Sequence, residues 1–447
     1  MGRSVVAEEI VQTYVESMFG VHQWLFGLII GQNSSQKDFA IQLIKTPSQD
    51  EDADSKEKAK NKARLDSIDE QWIAEHARQV SRMLPGGISI IGVFALAPPD
   101  MMNKSQAKLR QIIFEVRKTM KKQEILAKED QVSERILLQI CTVTRKTVCR
   151  TIDASDPKST FRPAEWKYQP FINRWAVLQS RVSLDIRIPI IKVKASKSGL
   201  QRQIQNGLQP WCKIVSDSLT TIGGKLRKPS EQLDTTQSHK RKGTSSSSAG
   251  SQTFHVQLLS TFDLKSNGIV QKECTSQITL RGTVHGMAYV NNKATVSEAT
   301  QFLKEDLINS LQSRCELLLE DLEQSEEGVH DVNILPRRVC VTLPKVSVNI
   351  SDYMFQDEVV QDSLDRFSEL LGLPITENQI QTDLECLPEE ADLEMPKETI
   401  PVKADLKQRE DEEDRGKSKS QYLNVAVSAA GAMLAVVMSY LLLVQDT

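Results

Sequence analysis

Residues 88–98, Ile88-Ser-Ile-Ile-Gly-Val-Phe-Ala-Leu-Ala-Pro98, are the stretch whose reading decides the fold. The run is short, Ser89 is its one polar side chain, and its apolar residues are continuous where a half-exposed strand would alternate. It predicts a strand buried on both faces, which needs cover on each side. The flanking sequence supplies that cover. Upstream, Trp72, Ile73, Ala77, Val80, Met83 and Leu84 recur at helical spacing behind a Ser67-x-x-Glu70 capping box, and Pro85-Gly86-Gly87 ends the helix. Downstream, Leu109, Ile112, Ile113 and Val116 mark a second helix over 106–120.

Further out, a helix is expected over 5–18, then a hairpin of strands 22–31 and 39–45 around the polar turn 32–37. Residues 50–62 are dense in charge and read as a solvated loop. Strands follow at 135–143, 147–152 and 175–191, with a Pro- and Trp-containing loop at 156–170. Strands and helices in this order argue for an α/β (mixed α+β) domain over 1–195. Apolar periodicity fades over 196–252, which contains His239-Lys-Arg-Lys-Gly-Thr-Ser-Ser-Ser-Ser248 and reads as a flexible linker. A second α/β block, 253–384, is expected to pack on the first, with strands at 254–262, 277–290 and 339–343 and a long helix at 297–323. Residues 385–420 read as a disordered stalk, because the stretch to Arg415 has twelve acidic and five basic residues and little periodicity.

The last segment, 421–444, differs from everything before it. From Tyr422 through Leu423, Leu434, Val437, Leu441, Leu442 and Leu443 to Val444 it carries no charge. At about 1.5 Å rise per residue such a helix crosses a hydrocarbon core about 30 Å thick. Lys417 and Lys419 precede it, which by the positive-inside tendency leaves the N-terminal body in the cytosol. The expectation is a single-pass membrane anchor at the C-terminal end. A cytosolic body also implies that the sequons at Asn33, Asn103 and Asn349 carry no glycan.

Charge is nearly balanced, Lys+Arg 56 against Asp+Glu 59 for a net charge of -3, so no nucleic-acid partner is implied. A mean hydropathy of -0.34 excludes many spans but not one. The seven cysteines are scattered, with no C-x-x-C, and read as reduced thiols. Phosphate-binding loops, Gly-x-Ser-x-Gly elbows and His-Glu-x-x-His motifs are absent, and His76 and His285 read as core histidines. No cofactor is implied.

The 88–98 stretch resembles the central strand of the MPN (JAMM) domain, whose metalloprotease members read Gly-Trp-Tyr-His-Ser-His-Pro there. Ala95 and Ala97 occupy the places of the two zinc histidines, and alanine cannot bind a metal. The resemblance implies an MPN-like scaffold without its zinc. Longer stretches resemble the odorant response abnormal protein 4 family, tail-anchored proteins of the endoplasmic reticulum membrane. They are 65–76 with Trp72 and His76, 79–87 with Pro85, Gly86 and Gly87 and the strand to Phe94 with Gly92, 156–169 with Pro157 and Trp166, and 335–343. That resemblance implies a non-enzymatic adaptor. Its implied partners are the ubiquitin-fold-modifier-specific cysteine protease, through MPN-like pairing, and G-protein-coupled odorant receptors, whose folding and export the family assists.

Overall fold

The apolar run becomes β4 (Ser89–Ala97), buried at every position after Ser89. It is the inner strand of a closed barrel, antiparallel to β2 (Leu25–Gln32) and parallel to β5 (Glu134–Cys141). This computed structural model describes residues 3–35, 37–48, 65, 68–122, 132–190, 197–233, 252–260, 276–324, 332–373 and 375–385. The chain divides into two compact units, 1–393 and 394–447, and all described residues lie in the first. The stretch 421–444 with its flanking lysines therefore lies outside the described residues, as does the stalk from 386 onward. Among the described residues no helix is long and apolar enough to cross a membrane.

The barrel closes as β1-β3-β2-β4-β5-β6-β7, with β1 (Ser4–Ala7), β3 (Lys37–Lys45), β6 (Thr147–Asp153) and β7 (Arg162–Tyr168). β4 serves two packing faces. Ile91, Phe94 and Leu96 join Val11, Val15 and Met18 of helix α1 (Glu9–Met18). Val93, Ala95 and Ala97 join Ile73, Ala77 and Val80 of α2 (Glu70–Met83) and Leu109, Ile112 and Val116 of α4 (Gln106–Lys122), which follows the short α3 (Pro99–Lys104). The strand thus has the cover on both sides that its composition requires.

Three sequence readings are corrected here. The helix expected over 5–18 begins only at Glu9, because Ser4–Ala7 pairs in parallel with both β3 and β7 and closes the barrel. Val5 and Val6 are β-branched and suit a strand. The loop expected at 156–170 contains β7, paired with β6 and β1. The cap of α2 is Asp69, whose side chain accepts the Gln71 N–H at 2.9 Å, in place of Ser67.

The boundary expected between 195 and 253 is crossed by a six-stranded sheet, β10-β9-β11-β8-β12-β13. β8 (Ala176–Ile190) pairs antiparallel with β12 (Ser276–Val290) over the whole length of both, so the two expected blocks share this sheet. The expected linker contributes α5 (Lys197–Asp217), β9 (Leu219–Ile222), β10 (Lys225–Leu226) and the first residue of β11 (Gln252–Leu259). Ile204, Leu208, Cys212 and Val215 form one helical stripe and pack with Leu307 and Leu311 of α6 (Val296–Gln324). β13 (Val332–Asn333) completes this sheet. A three-stranded sheet, β15-β14-β16, is built from β14 (Arg337–Thr342), β15 (Asn349–Met354) and β16 (Ile380–Gln381), and α7 (Val360–Leu371) lies between β15 and β16 in sequence.

Gly92 marks how closely β4 and β5 approach, since a Cβ there would stand 2.2 Å from the Ile136 carbonyl oxygen. Gly92→Ala is expected to destabilise the body by about 1–3 kcal/mol, read as a lower urea midpoint at unchanged m-value.

Candidate functional site

Gly86 is where the barrel, the six-stranded sheet and α6 meet. Its N–H points at Met287 O (2.9 Å) and Asp306 Oδ1 (3.0 Å), and its carbonyl accepts the Tyr289 N–H at 2.9 Å. A Cβ at this position would lie 2.2 Å from the Phe302 carbonyl oxygen of α6, so the helix can sit here only against glycine. Gln32, at the end of β2, clamps the same seam. Its Nε2 donates to Gly87 O (2.8 Å) and Tyr289 O (2.9 Å), and its Oε1 accepts from the Asn291 side chain at 2.9 Å.

Asp306 is 3 % exposed and ionically paired with Arg338, which is 1 % exposed, at 2.6 Å. The carboxylate also accepts the Met287 N–H at 2.7 Å, and the guanidinium donates to His285 O at 2.9 Å and Ser351 Oγ at 2.7 Å. A second buried pair joins Arg314 to Glu385 at 2.6 Å. Glu385 further accepts the N–H groups of His285 (2.6 Å) and Arg338 (2.8 Å). Burial pushes the Glu385 carboxyl up, but Arg314 and these donors outweigh it and hold the group below its ordinary range. Burial likewise dominates at Tyr289, whose hydroxyl is pushed up to about 12 and accepts the Asn349 N–H at 2.8 Å.

A cleft of about 750 Å³ opens beside this seam. Leu84, Pro85, Ile88, Ile113 and Met120 line one side, and Glu298, Phe302, Glu305, Asn309 and Glu316 of α6 line the other. Arg82 enters it and pairs with Glu316 at 2.8 Å. Among the described residues no histidine or cysteine lines the cleft.

The structure brings together four of the residues singled out in the sequence: Pro85, Gly86, Gly87 and Gly92 all line this cleft. The others stand apart. Trp72 is part-exposed on α2 and donates to Pro47 O at 2.9 Å, and His76 is buried with Nε2 2.8 Å from Leu370 O. The Pro157 carbonyl accepts from the Arg110 guanidinium, and Trp166 on β7 packs edge-on to Tyr168 at 6.1 Å. Ala95 and Ala97 are fully buried beneath α2 and α4. Among the described residues no group of three or more His, Cys, Asp or Glu is placed to hold a metal ion. Cys149, Cys212, Cys315 and Cys340 are buried free thiols, and burial pushes those of Cys149 and Cys315 up to about 12. Sequence reasoning did not find Asp306, Arg314, Arg338 or Glu385. Asp306, Ser310 and Arg314 recur every four residues, a pattern that ordinarily marks a solvated helix face.

Comparison with known proteins gives a consistent picture. A family model, odorant response abnormal 4-like, matches residues 27–382. The human protein odr-4 homolog is 36% identical over 448 residues, covering 96% of each chain. The mouse protein odr-4 homolog is 36% identical over 98% of this chain and 99% of its own. The Dictyostelium discoideum protein odr-4 homolog is 24% identical over 78% of this chain and 75% of its own. A crystal structure of UfSP from C. elegans aligns with a TM-score of 0.39 and 8% identity, over 83% of this chain and 57% of that one, too loose a likeness to carry weight.

Two measurements test the site. Asp306→Asn leaves Arg338 buried without its counter-charge and is expected to cost about 3–5 kcal/mol in urea unfolding. The second is pH dependence. Burial lowers the pKa of His76 and, with help from Arg338, of His285 below the ordinary 6.5. The stability this gives is fully present above pH 6.5 and is lost as pH falls through the folded values, while the Glu385 share is lost only below its ordinary 4.5. The melting temperature is expected to fall from pH 6.5 downward, and His76→Gln to shallow the first part of that fall.

Proposed function

The chain belongs to the odorant response abnormal 4-like family, and from that premise we propose that it is a non-enzymatic adaptor of the endoplasmic reticulum membrane. In this reading the body is MPN-like and cytosolic, the segment 421–444 anchors it in a single pass, and the body holds the ubiquitin-fold-modifier-specific cysteine protease at the membrane. The observation that carries the reading is the pair Ala95 and Ala97. Both are 0% exposed under two helices, on a strand that resembles the one where zinc-dependent MPN proteases carry histidines. A body packed shut at that position acts by binding.

Tethering needs no chemistry. Confining a partner to a layer near the membrane raises its effective concentration toward membrane-bound substrates, an avidity gain of about 10²–10⁴. The residues between body and span set the reach, about 30–35 Å for a flexible chain of that length. The cleft beside Gly86, with an apolar wall and an acidic helix face, has a shape that can receive a partner segment. A second reading, assistance to the folding and export of odorant receptors, is favoured by the name of the matched family.

Deleting residues 422–447 separates the two. Under the adaptor reading, the protease shifts from the membrane pellet to the soluble fraction of cell lysates together with the truncated chain. Protease that remains fully membrane-bound overturns the reading. Crosslinking of the full chain to an immature odorant receptor, with protease distribution unchanged, favours the second.

A further inference from the structure

The strap that ends at Glu385 is held by little backbone and one carboxylate. β16 (Ile380–Gln381) adds only two residues to the edge of β14, opposite Val341 and Cys340. The Leu384 carbonyl accepts Arg181 Nη2 at 2.8 Å. Glu385 then fills a slot whose three donors lie on three elements: the His285 N–H on β12, the Arg338 N–H on β14 and the Arg314 guanidinium on α6, at 2.6, 2.8 and 2.6 Å. Arg314 is 2 % exposed, its Nε has no hydrogen-bond partner among the described residues, and its guanidinium carbon stands 5.3 Å from the Tyr353 ring centre. Two of the donors are main-chain N–H groups on strand edges, so this slot takes a carboxylate where a sheet would take a neighbouring strand.

We propose that the groove between β12 and β14 is a binding site for an extended acidic segment, and that residues 380–385 are its occupant in cis. Withdrawing the strap leaves a buried guanidinium and two buried N–H groups unpaired, so an empty groove is strongly disfavoured. The groove is therefore either closed by its own strap or filled in trans. A two-residue ladder is short enough to yield to a competitor that offers the same features: an apolar residue at the Ile380 position, main-chain groups for the β14 edge, and a carboxylate five residues on. Arg314 selects for negative charge, and the depth of the slot excludes a basic or bulky residue.

The test uses the full chain in detergent, as wild type and as Glu385→Ala, titrated with a labelled, C-terminally amidated peptide of residues 376–385. Tighter binding to Glu385→Ala than to wild type, by about tenfold, is expected, with a loss of about tenfold when the peptide carries Gln at the Glu385 position and keeps Glu377. Equal binding to both proteins, or equal binding of both peptides, overturns the proposal. Should Glu385→Ala fail to fold, hydrogen exchange on the wild type decides the matter. Saturating peptide is expected to leave the His285 and Arg338 amides protected while amides of 380–385 begin to exchange, and an unchanged strap at saturation overturns it.

Discussion

The outer edge of β12 is the constraint on which the rest of the body depends. A buried strand edge must find partners for every N–H and carbonyl, and among the described residues β12 has only the two-residue β13 as a strand on that side. Side chains from distant parts of the chain take the place of a strand. Glu385 takes the His285 N–H, Asp306 takes the Met287 N–H, and Arg338 donates to the His285 carbonyl. Main-chain groups meet this edge at Gly86, which bridges to Met287 and Tyr289, and at the two-residue β13. The two carboxylates are tolerated at this depth because each meets a guanidinium, Arg338 or Arg314. The result is a junction in which the barrel, α6 and the three-stranded sheet are all fastened to one strand.

That junction explains why the Pro85-Gly86-Gly87 turn is built as it is. Gly86 must lack a Cβ to let α6 approach, and its amide must face Asp306. The turn that ends α2, the helix that carries Asp306 and the strand it satisfies are one construction drawn from three remote stretches of sequence. The cleft beside it is a by-product of the same geometry, since α6 crosses the seam at Gly86 and stands away from α4 further along.

How legible this was in the sequence follows from the kind of pattern each part carries. β4, the hairpin of β2 and β3, and helices α2 and α4 are apolar runs or single-stripe helices, and those periods read directly. The turn residues of the cleft were legible as strings, while their partners were not. Asp306 and Arg314 sit on a four-residue polar spacing that a solvated face would share, and Glu385 heads a long acidic stretch whose composition gives no sign of a buried carboxylate. α5 escaped because Pro210 interrupts a stripe of Ile204, Leu208, Cys212 and Val215 that lies amid polar residues. Long-range pairing, as in β8 with β12 across the expected domain boundary, leaves no local trace.

Two chemistries hold the seam, and they respond to different conditions. The Asp306–Arg338 and Arg314–Glu385 pairs depend on ionisation, whereas Gln32 fastens β2 to the end of β12 through an uncharged amide that spends both its donor and its acceptor side on Gly87, Tyr289 and Asn291. An amide does not titrate over the physiological range. Acid that neutralises these carboxylates leaves the Gln32 hinge between the barrel and the sheet in place. Deamidation to glutamate at this one position would reverse the hinge, setting a carboxylate against two carbonyl oxygens and making an ageing reaction of the chain the thing that unfastens it.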